Sequence, residues 1–167
     1  MTGDTHRRLP DAMTLYRIGD PRGAWPIWSD GGARRTSGRW HEAGQGVIYA
    51  SEHYSTAMLE KLLHFAGELP GGQCWIDVQV PAGVSYAVFP VEAHPDWAGA
   101  DMIAARRFGR TWHAEGLSCL LFVPSVVARV ERNVIVNTAH PDFGRLRPGL
   151  ERPVWWDARL FAREDKG

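Results

Sequence analysis

Lysine is almost missing from this chain: of its nineteen basic residues only Lys61 and Lys166 are lysines, and the other seventeen are arginines. Lys61 directly follows Leu59-Glu60 and Lys166 is followed by a single glycine. Neither sits in a Walker-type phosphate loop or on a kinase strand, and a Schiff-base lysine is excluded on the same ground. Cysteine is equally scarce. Cys74 and Cys119 stand far apart without zinc-ligand spacing, each in an apolar run where a thiol acts as a small core hydrophobe, so a reducing compartment fits. No run approaches the roughly 20 apolar residues that span a bilayer, and no basic start leads into an apolar stretch. The expectation is a soluble, cytoplasmic protein. Net charge is absent too, nineteen acidic residues balancing nineteen basic ones, so no global field draws the chain to nucleic acid or a membrane. Gly44-Gln45-Gly46 lacks the third glycine and the helix of a dinucleotide fingerprint, and there is no Gly-x-Ser-x-Gly elbow.

What is present suits one domain: 167 residues, 44% of them hydrophobic, are enough for a single core. Residues 1–12 are polar and aperiodic and read as a loose tail ahead of a domain over 13–167. A strand is expected around Leu15-Tyr16-Arg17-Ile18, followed by a loop of more than twenty residues, a length that is unusual unless the loop is functional. A second strand, Gly46-Val47-Ile48-Tyr49-Ala50, precedes a helix from His53 to Ala66, closed by Gly67 and Pro70. On a helical wheel Tyr54, Met58, Leu59, Leu62, Leu63 and Phe65 form an apolar arc, which leaves Thr56, Glu60 and His64 pointing away from the packing face. Cys74 to Val80 alternates, with Cys74, Ile76, Val78 and Val80 on one face. Another strand is expected through Val84 to Phe89, and a helix capped by Asp96 runs to Gly116. Cys119 to Val123, Val134 to Val136 and Val154-Trp155-Trp156 are further apolar runs, and the eight tryptophans spread through these elements read as mostly core. Helices scattered among strands favour an α+β (mixed α/β) single domain with a central mixed sheet flanked by helices.

The densest chemistry lies in the long loop, where Arg34, Arg35 and Arg39 stand among glycines in Gly31-Gly32-Ala33-Arg34-Arg35-Thr36-Ser37-Gly38-Arg39-Trp40. Glycine lets the backbone approach a ligand closely, and a guanidinium fork matches phosphate oxygens two at a time. This anion clamp is soon followed by Tyr49 and by the carboxylate of Glu60. On residue type alone each has an ordinary alternative: Glu60 a solvated helix glutamate, Tyr49 a core tyrosine, Arg17 a surface arginine on an edge strand. Glu60 and His64 are four apart with His53 nearby, but no further ligands complete a site, and no metal is expected.

Several short blocks follow one another in order: Leu15-Tyr16-Arg17, Gly38-Arg39-Trp40-His41, Gly46-Val47-Ile48-Tyr49-Ala50-Ser51, Ala57-Met58-Leu59-Glu60, Leu121-Phe122-Val123-Pro124-Ser125, and Glu131-Arg132-Asn133-Val134-Ile135-Val136-Asn137 ahead of His140-Pro141-Asp142-Phe143. Together they resemble the RES-domain toxins of bacterial toxin-antitoxin pairs. The resemblance implies a fold similar to the ADP-ribosyltransferase toxins and an enzyme that takes NAD⁺ as substrate, with no separate cofactor. It further implies either cleavage of the nicotinamide-ribose bond by water or phosphate (an NAD⁺ glycohydrolase or phosphorylase that depletes the cell) or transfer of ADP-ribose to a protein. The implied partner is an Xre-type helix-turn-helix antitoxin that blocks the active site; pairing as a homodimer is also expected. By motif Arg39, Glu60 and Ser125 are the signature arginine, glutamate and serine, and Arg17 and Tyr49 match two further pocket positions. The chain departs at Ile18, where some members carry a second tyrosine, and at His41, where asparagine is common.

The roles expected of these residues follow their chemistry. Loss of neutral nicotinamide develops an oxocarbenium-like cation, which a fixed carboxylate, Glu60, would stabilise. Arg39 and Arg17 would hold the pyrophosphate, with Arg34 and Arg35 at the rim. Tyr49 would stack on nicotinamide or ribose and offer its hydroxyl to a phosphate or sugar oxygen. Ser125 would bond the nicotinamide amide or a ribose hydroxyl, and with no base beside it is not a nucleophile. The competing readings are a non-catalytic domain whose arginine-rich anion site binds an acidic partner or a nucleic-acid backbone, and a nuclease, for which the chain lacks a carboxylate cluster and a histidine pair.

Overall fold

The computed structural model describes residues 7–65 and 68–161. Its longest strand pairing joins β2 (Met13–Gly19) to β4 (Cys74–Val80), antiparallel along their whole length from Met13 opposite Val80 to Gly19 opposite Cys74. The alternation read from the sequence is realised in β4, where Ile76, Val78 and Val80 are buried and Cys74 half-buried. Around this pair the sheet adds β1 (Arg7–Arg8), β3 (Val47–Ser51), β5 (Ser85–Val88), β6 (Leu120–Pro124), β7 (Arg132–Asn137), β8 (Arg147–Pro148) and β9 (Arg152–Pro153). The spatial order is β1-β5-β6-β7-β3-β2-β4-β8, with β9 also on β4. Among the described strands only β5 and β6 run parallel, joined through α3 (Ile103–Glu115), so the sheet is mixed, as expected.

Both faces of the central strands are covered, which is why β6 and β7 read as continuous apolar runs. On one face Leu120, Phe122, Val134, Val136 and Ile48 join Leu15, Val78 and Val80. On the other Leu121, Val123, Ile135 and Val47 meet Trp40, Phe89, Trp97, Ala105 and Trp112. Helix α3 closes this second face, and only glycine fits at Gly109, where a Cβ would come 1.9 Å from the Trp40 carbonyl oxygen.

Several expectations are corrected. Arg7 and Arg8, placed in the loose tail, pair with Tyr86 and Ser85; residues 1–6 of that tail lie outside the described residues. The long loop contains a short helix, α1 (Gly31–Arg35). The second helix, α2, spans Tyr54–Leu63 rather than His53 to Ala66, and Ala66 and Gly67 are not among the described residues. Helix α3 is capped not by Asp96 but by a left-handed Met102 (φ 60°), and Asp101 Oδ1 just before it accepts the Ile103 amide at 3.0 Å. Val154 to Trp156 forms no strand, and Trp25 and Trp155 are exposed whereas Trp40, Trp97 and Trp112 are buried.

The largest difference concerns the orientation of α2. Its buried residues are Thr56 and Ala57, while Leu59 and Leu63 from the expected apolar arc are 41% and 55% exposed. The helix rests on β2 and β3 through small side chains, and this turns Glu60 inward. Beneath it the sheet is split: β3 pairs with β7 at five positions, from Val47 opposite Asn137 to Ser51 opposite Asn133, but meets β2 only at Ser51 opposite Tyr16. The divergence of β2 from β3 makes room for a cleft.

Candidate active site

The cleft has a volume of about 730 Å³, within the usual range for small-molecule sites. Arg39, Tyr49, Glu60, Asn133 and Val126 line it. A smaller cavity of about 160 Å³ adjoins it between α2 and the diverging strands, and Arg17, Tyr49, Glu60, Lys61, His64 and Asn133 line both. Glu60 therefore borders both spaces.

Glu60 is held by two strands. Its Oε1 accepts hydrogen bonds from Ser125 Oγ and from Asn133 Nδ2, each at 2.7 Å. Ser125, at the end of β6, is completely buried, and its oxygen also accepts the Ala128 amide at 3.0 Å. Asn133 on β7 is fixed in turn, its Oδ1 accepting from Ser51 Oγ at 2.7 Å. Oε2 has no partner among the described residues, so one carboxylate oxygen is locked while the other is left for a ligand. The Ser125 hydroxyl, expected to bond the nicotinamide amide or a ribose hydroxyl, is buried here and engaged by the Glu60 carboxylate and the Ala128 amide.

A second hub organises the long loop. Carbonyl oxygens of Ala33 and Thr36 lie 2.9 and 3.0 Å from His41 Nε2, so that nitrogen carries the proton. His41 Nδ1 is then an acceptor, and Tyr49 Oη donates to it at 2.8 Å while accepting the Trp40 amide at 3.0 Å. Burial lowers the imidazole from its ordinary value and raises the phenol, so both stay neutral near pH 7. Gly38 closes over this pair, where a Cβ would sit 2.7 Å from Tyr49 Oη. The Tyr49 ring faces the cleft, but its hydroxyl, expected to bond a phosphate or sugar oxygen, is already engaged by the loop.

The arginines divide. Arg39 is half-buried at the cleft wall, its Nη1 donating to the carbonyls of Trp97 at 3.1 Å and Gly99 at 3.0 Å. Burial lowers its affinity for the proton and the charge of Glu60 opposes that, which places carboxylate and guanidinium within electrostatic reach of each other. Arg17 does different work. Its Nε donates to Ile27 O at 2.6 Å and its Nη1 to Tyr49 O at 2.7 Å, bonding β3 where β2 has diverged. Burial pushes it down to about 10, still charged at neutral pH. Two of its nitrogens are thus committed to backbone carbonyls, while the residue still lines the cleft. Arg34 pairs with Asp30 at 2.9 Å, and neither it nor the exposed Arg35 lines the cleft, so the expected rim pair is absent from the wall.

Sequence reasoning missed Asn133, Ser51 and His41 as site builders, although all three lie inside the quoted motifs. His53, noted as a nearby imidazole, pairs with Glu131 at 2.6 Å. Among the described residues no group of three His, Cys, Asp or Glu could hold a metal, and no helix is long and apolar enough to cross a membrane.

With this geometry in view, the similarity to known proteins can be placed. The RES domain model matches residues 14–157. The chain belongs to the RES-domain family. It is 32% identical to the Prs ADP-ribosylating toxin of Sphingobium sp. (strain YBL2), over 98% of this chain and 99% of that one. It is 33% identical to the Toxin Res of Pseudomonas putida, over 89% of this chain and 100% of the relative. The crystal structure of the M. tuberculosis MbcT-MbcA toxin-antitoxin complex contains a chain that superposes with a TM-score of 0.67, covering 87% of this chain and 85% of that one. At 18% identity this last likeness speaks for the fold.

Proposed function

We propose that this RES domain is the toxin of a toxin-antitoxin pair and that it breaks the nicotinamide-ribose bond of NAD⁺. The observation that carries the reading is the half-fixed carboxylate: Glu60 Oε1 is held by Ser125 and Asn133 while Oε2 is left toward a cleft of about 730 Å³ whose wall also carries Arg39. As neutral nicotinamide departs with the bonding electron pair, positive charge grows on the ribose ring. A carboxylate that needs no reorganisation stabilises that charge. Arg39 binds the diphosphate, and the Tyr49 ring supplies a flat apolar surface for nicotinamide or ribose. Water or phosphate then adds to the anomeric carbon and loses a proton, giving ADP-ribose or its phosphate ester. A second reading, transfer of ADP-ribose to a protein side chain, draws support from the name of the Sphingobium relative, which covers 98% of this chain.

The partner that fits is an Xre-type antitoxin covering the cleft; the fold neighbour is itself a toxin-antitoxin complex. A homodimer and a cytoplasmic location belong to the same reading. The test is incubation of the purified protein with NAD⁺, with and without phosphate and with a bacterial lysate, followed by product masses. Free nicotinamide with ADP-ribose or its phosphate ester supports the first reading, labelled protein supports the second, and intact NAD⁺ under all three conditions refutes both.

A further inference from the structure

Arg39 on the cleft wall has two further guanidinium groups, Arg106 and Arg129, within electrostatic reach of it. Arg39 hangs from the carbonyls of Trp97 and Gly99 at 3.1 and 3.0 Å. Arg129, exposed on the turn after β6, lays its Cζ 5.4 Å from the centroid of the Trp97 ring and donates Nε to Val126 O at 3.1 Å. Arg106, from α3, donates Nε to Gly38 O at 2.8 Å. Gly38, Arg39 and Val126 all line the cleft, so the three groups are anchored to its wall. The charges of Arg129 and Arg106 both act on Arg39.

No described carboxylate lies within salt-bridge distance of any of the three, although Arg8, Arg34, Arg110, Arg132, Arg145 and Arg159 each have one. Glu60 opposes the accumulated charge at Arg39, but one carboxylate does not balance three cations. Like charges gathered on a concave wall raise the energy of the empty site and lower it again when a polyanion arrives.

We propose that Arg129 is a second phosphate-binding residue, gripping together with Arg39 the diphosphate of the dinucleotide in the Glu60 cleft. The inference rests on the NAD⁺ reading above, and it adds a guanidinium fork to a site in which two of the Arg17 nitrogens are already tied to Ile27 and Tyr49. Its Nε is fixed by Val126 and its plane rests on Trp97, so the two terminal nitrogens form a preset fork. This also orients the ligand: phosphates at Arg39, the reacting ribose at Glu60.

The test titrates wild type and Arg129→Ala with ADP-ribose, inorganic pyrophosphate and adenosine. Wild type is expected to bind the first two, and the variant to bind both about tenfold more weakly with adenosine unaffected, since loss of one charge-assisted contact is worth roughly that factor. KM for NAD⁺ should rise by a similar factor, and Arg129→Lys should recover part of the loss. An Arg159→Ala control, far from the fork in chemistry and already paired with Asp157, should match wild type. Arg129→Ala that binds ADP-ribose and pyrophosphate as wild type does overturns the inference and leaves the NAD⁺ reading standing. Arg129-dependent pyrophosphate binding with NAD⁺ left intact supports the anion site and overturns the NAD⁺ reading alone. Failure of wild type to bind either phosphate compound removes both.

Discussion

On one wall of the cleft Glu60 projects from a helix and is tied through Ser125 and Asn133 to two central strands; on the other, Arg39 hangs from a loop and holds only carbonyl oxygens, with Arg129 beside it on Val126 and the Trp97 ring. The first wall leaves a single acceptor atom open and fixes everything behind it. The second leaves its charges without carboxylate partners. Rigidity sits where a reaction would need a group within a fraction of an ångström, and unsatisfied charge sits where a flexible anion would need to be caught.

Substitutions should separate these two walls. Glu60→Ala should have the largest effect, lowering turnover of NAD⁺ by ~10²–10³-fold with the fold intact by circular dichroism, because one preorganised electrostatic group contributes about that much. Asn133→Leu removes a clamp and not the carboxylate, so kcat should fall by roughly 10–100-fold, in line with a hydrogen bond to a charged group, while KM stays near wild type. Steady-state kinetics reporting the loss in KM instead would move Asn133 to the binding wall. Arg39→Ala should do the reverse, raising KM by about tenfold. Were its KM normal, the comparison of the two walls would collapse.

Arg17→Met should register mainly in stability, by about 2 kcal/mol in chemical denaturation, since it strips two carbonyls of charged donors. The smallest effect concerns pH. Burial holds His41 and His113 below the ordinary imidazole value of 6.5, so below that pH the unfolded chain binds protons that the folded one refuses. Stability contributed by the neutral rings is complete above 6.5 and is lost as pH falls beneath it. Melting midpoints measured from pH 7.5 down to about 5 should decline, and His41→Asn should flatten part of that slope, His113 supplying the remainder.

Much of the sheet was legible because alternation reports burial directly: β4 spans the residues its pattern marked, Cys74 to Val80. Helix α2 was misjudged for the opposite reason. A helical wheel ranks faces by apolar content, but this helix packs through Thr56 and Ala57 onto strands that leave a cavity, and Leu59 and Leu63 face outward. Glu60 was found by its motif and not by its periodicity. The partners of Glu60 could not be read from spacing, since Ser125 and Asn133 lie 65 and 73 residues away and meet it only once β6 and β7 are side by side. That Arg17 also binds the Ile27 and Tyr49 carbonyls could not be read, because the sequence does not reveal that β2 and β3 part after one pairing.

That parting has a further consequence. Tyr49 and Ser51 point to the reactive side of β3 only because Ile135 and Asn133 stand opposite them. A slip of β3 along β7 by a single position would swing both away and present Ile48 and Ala50 in their stead. The hydrophobic seam that fixes this register, Val47 and Ile48 against Val136 and its neighbours, is therefore also the alignment mechanism of the cleft, and a variant that loosened it would abolish the chemistry while every proposed reacting group was still present.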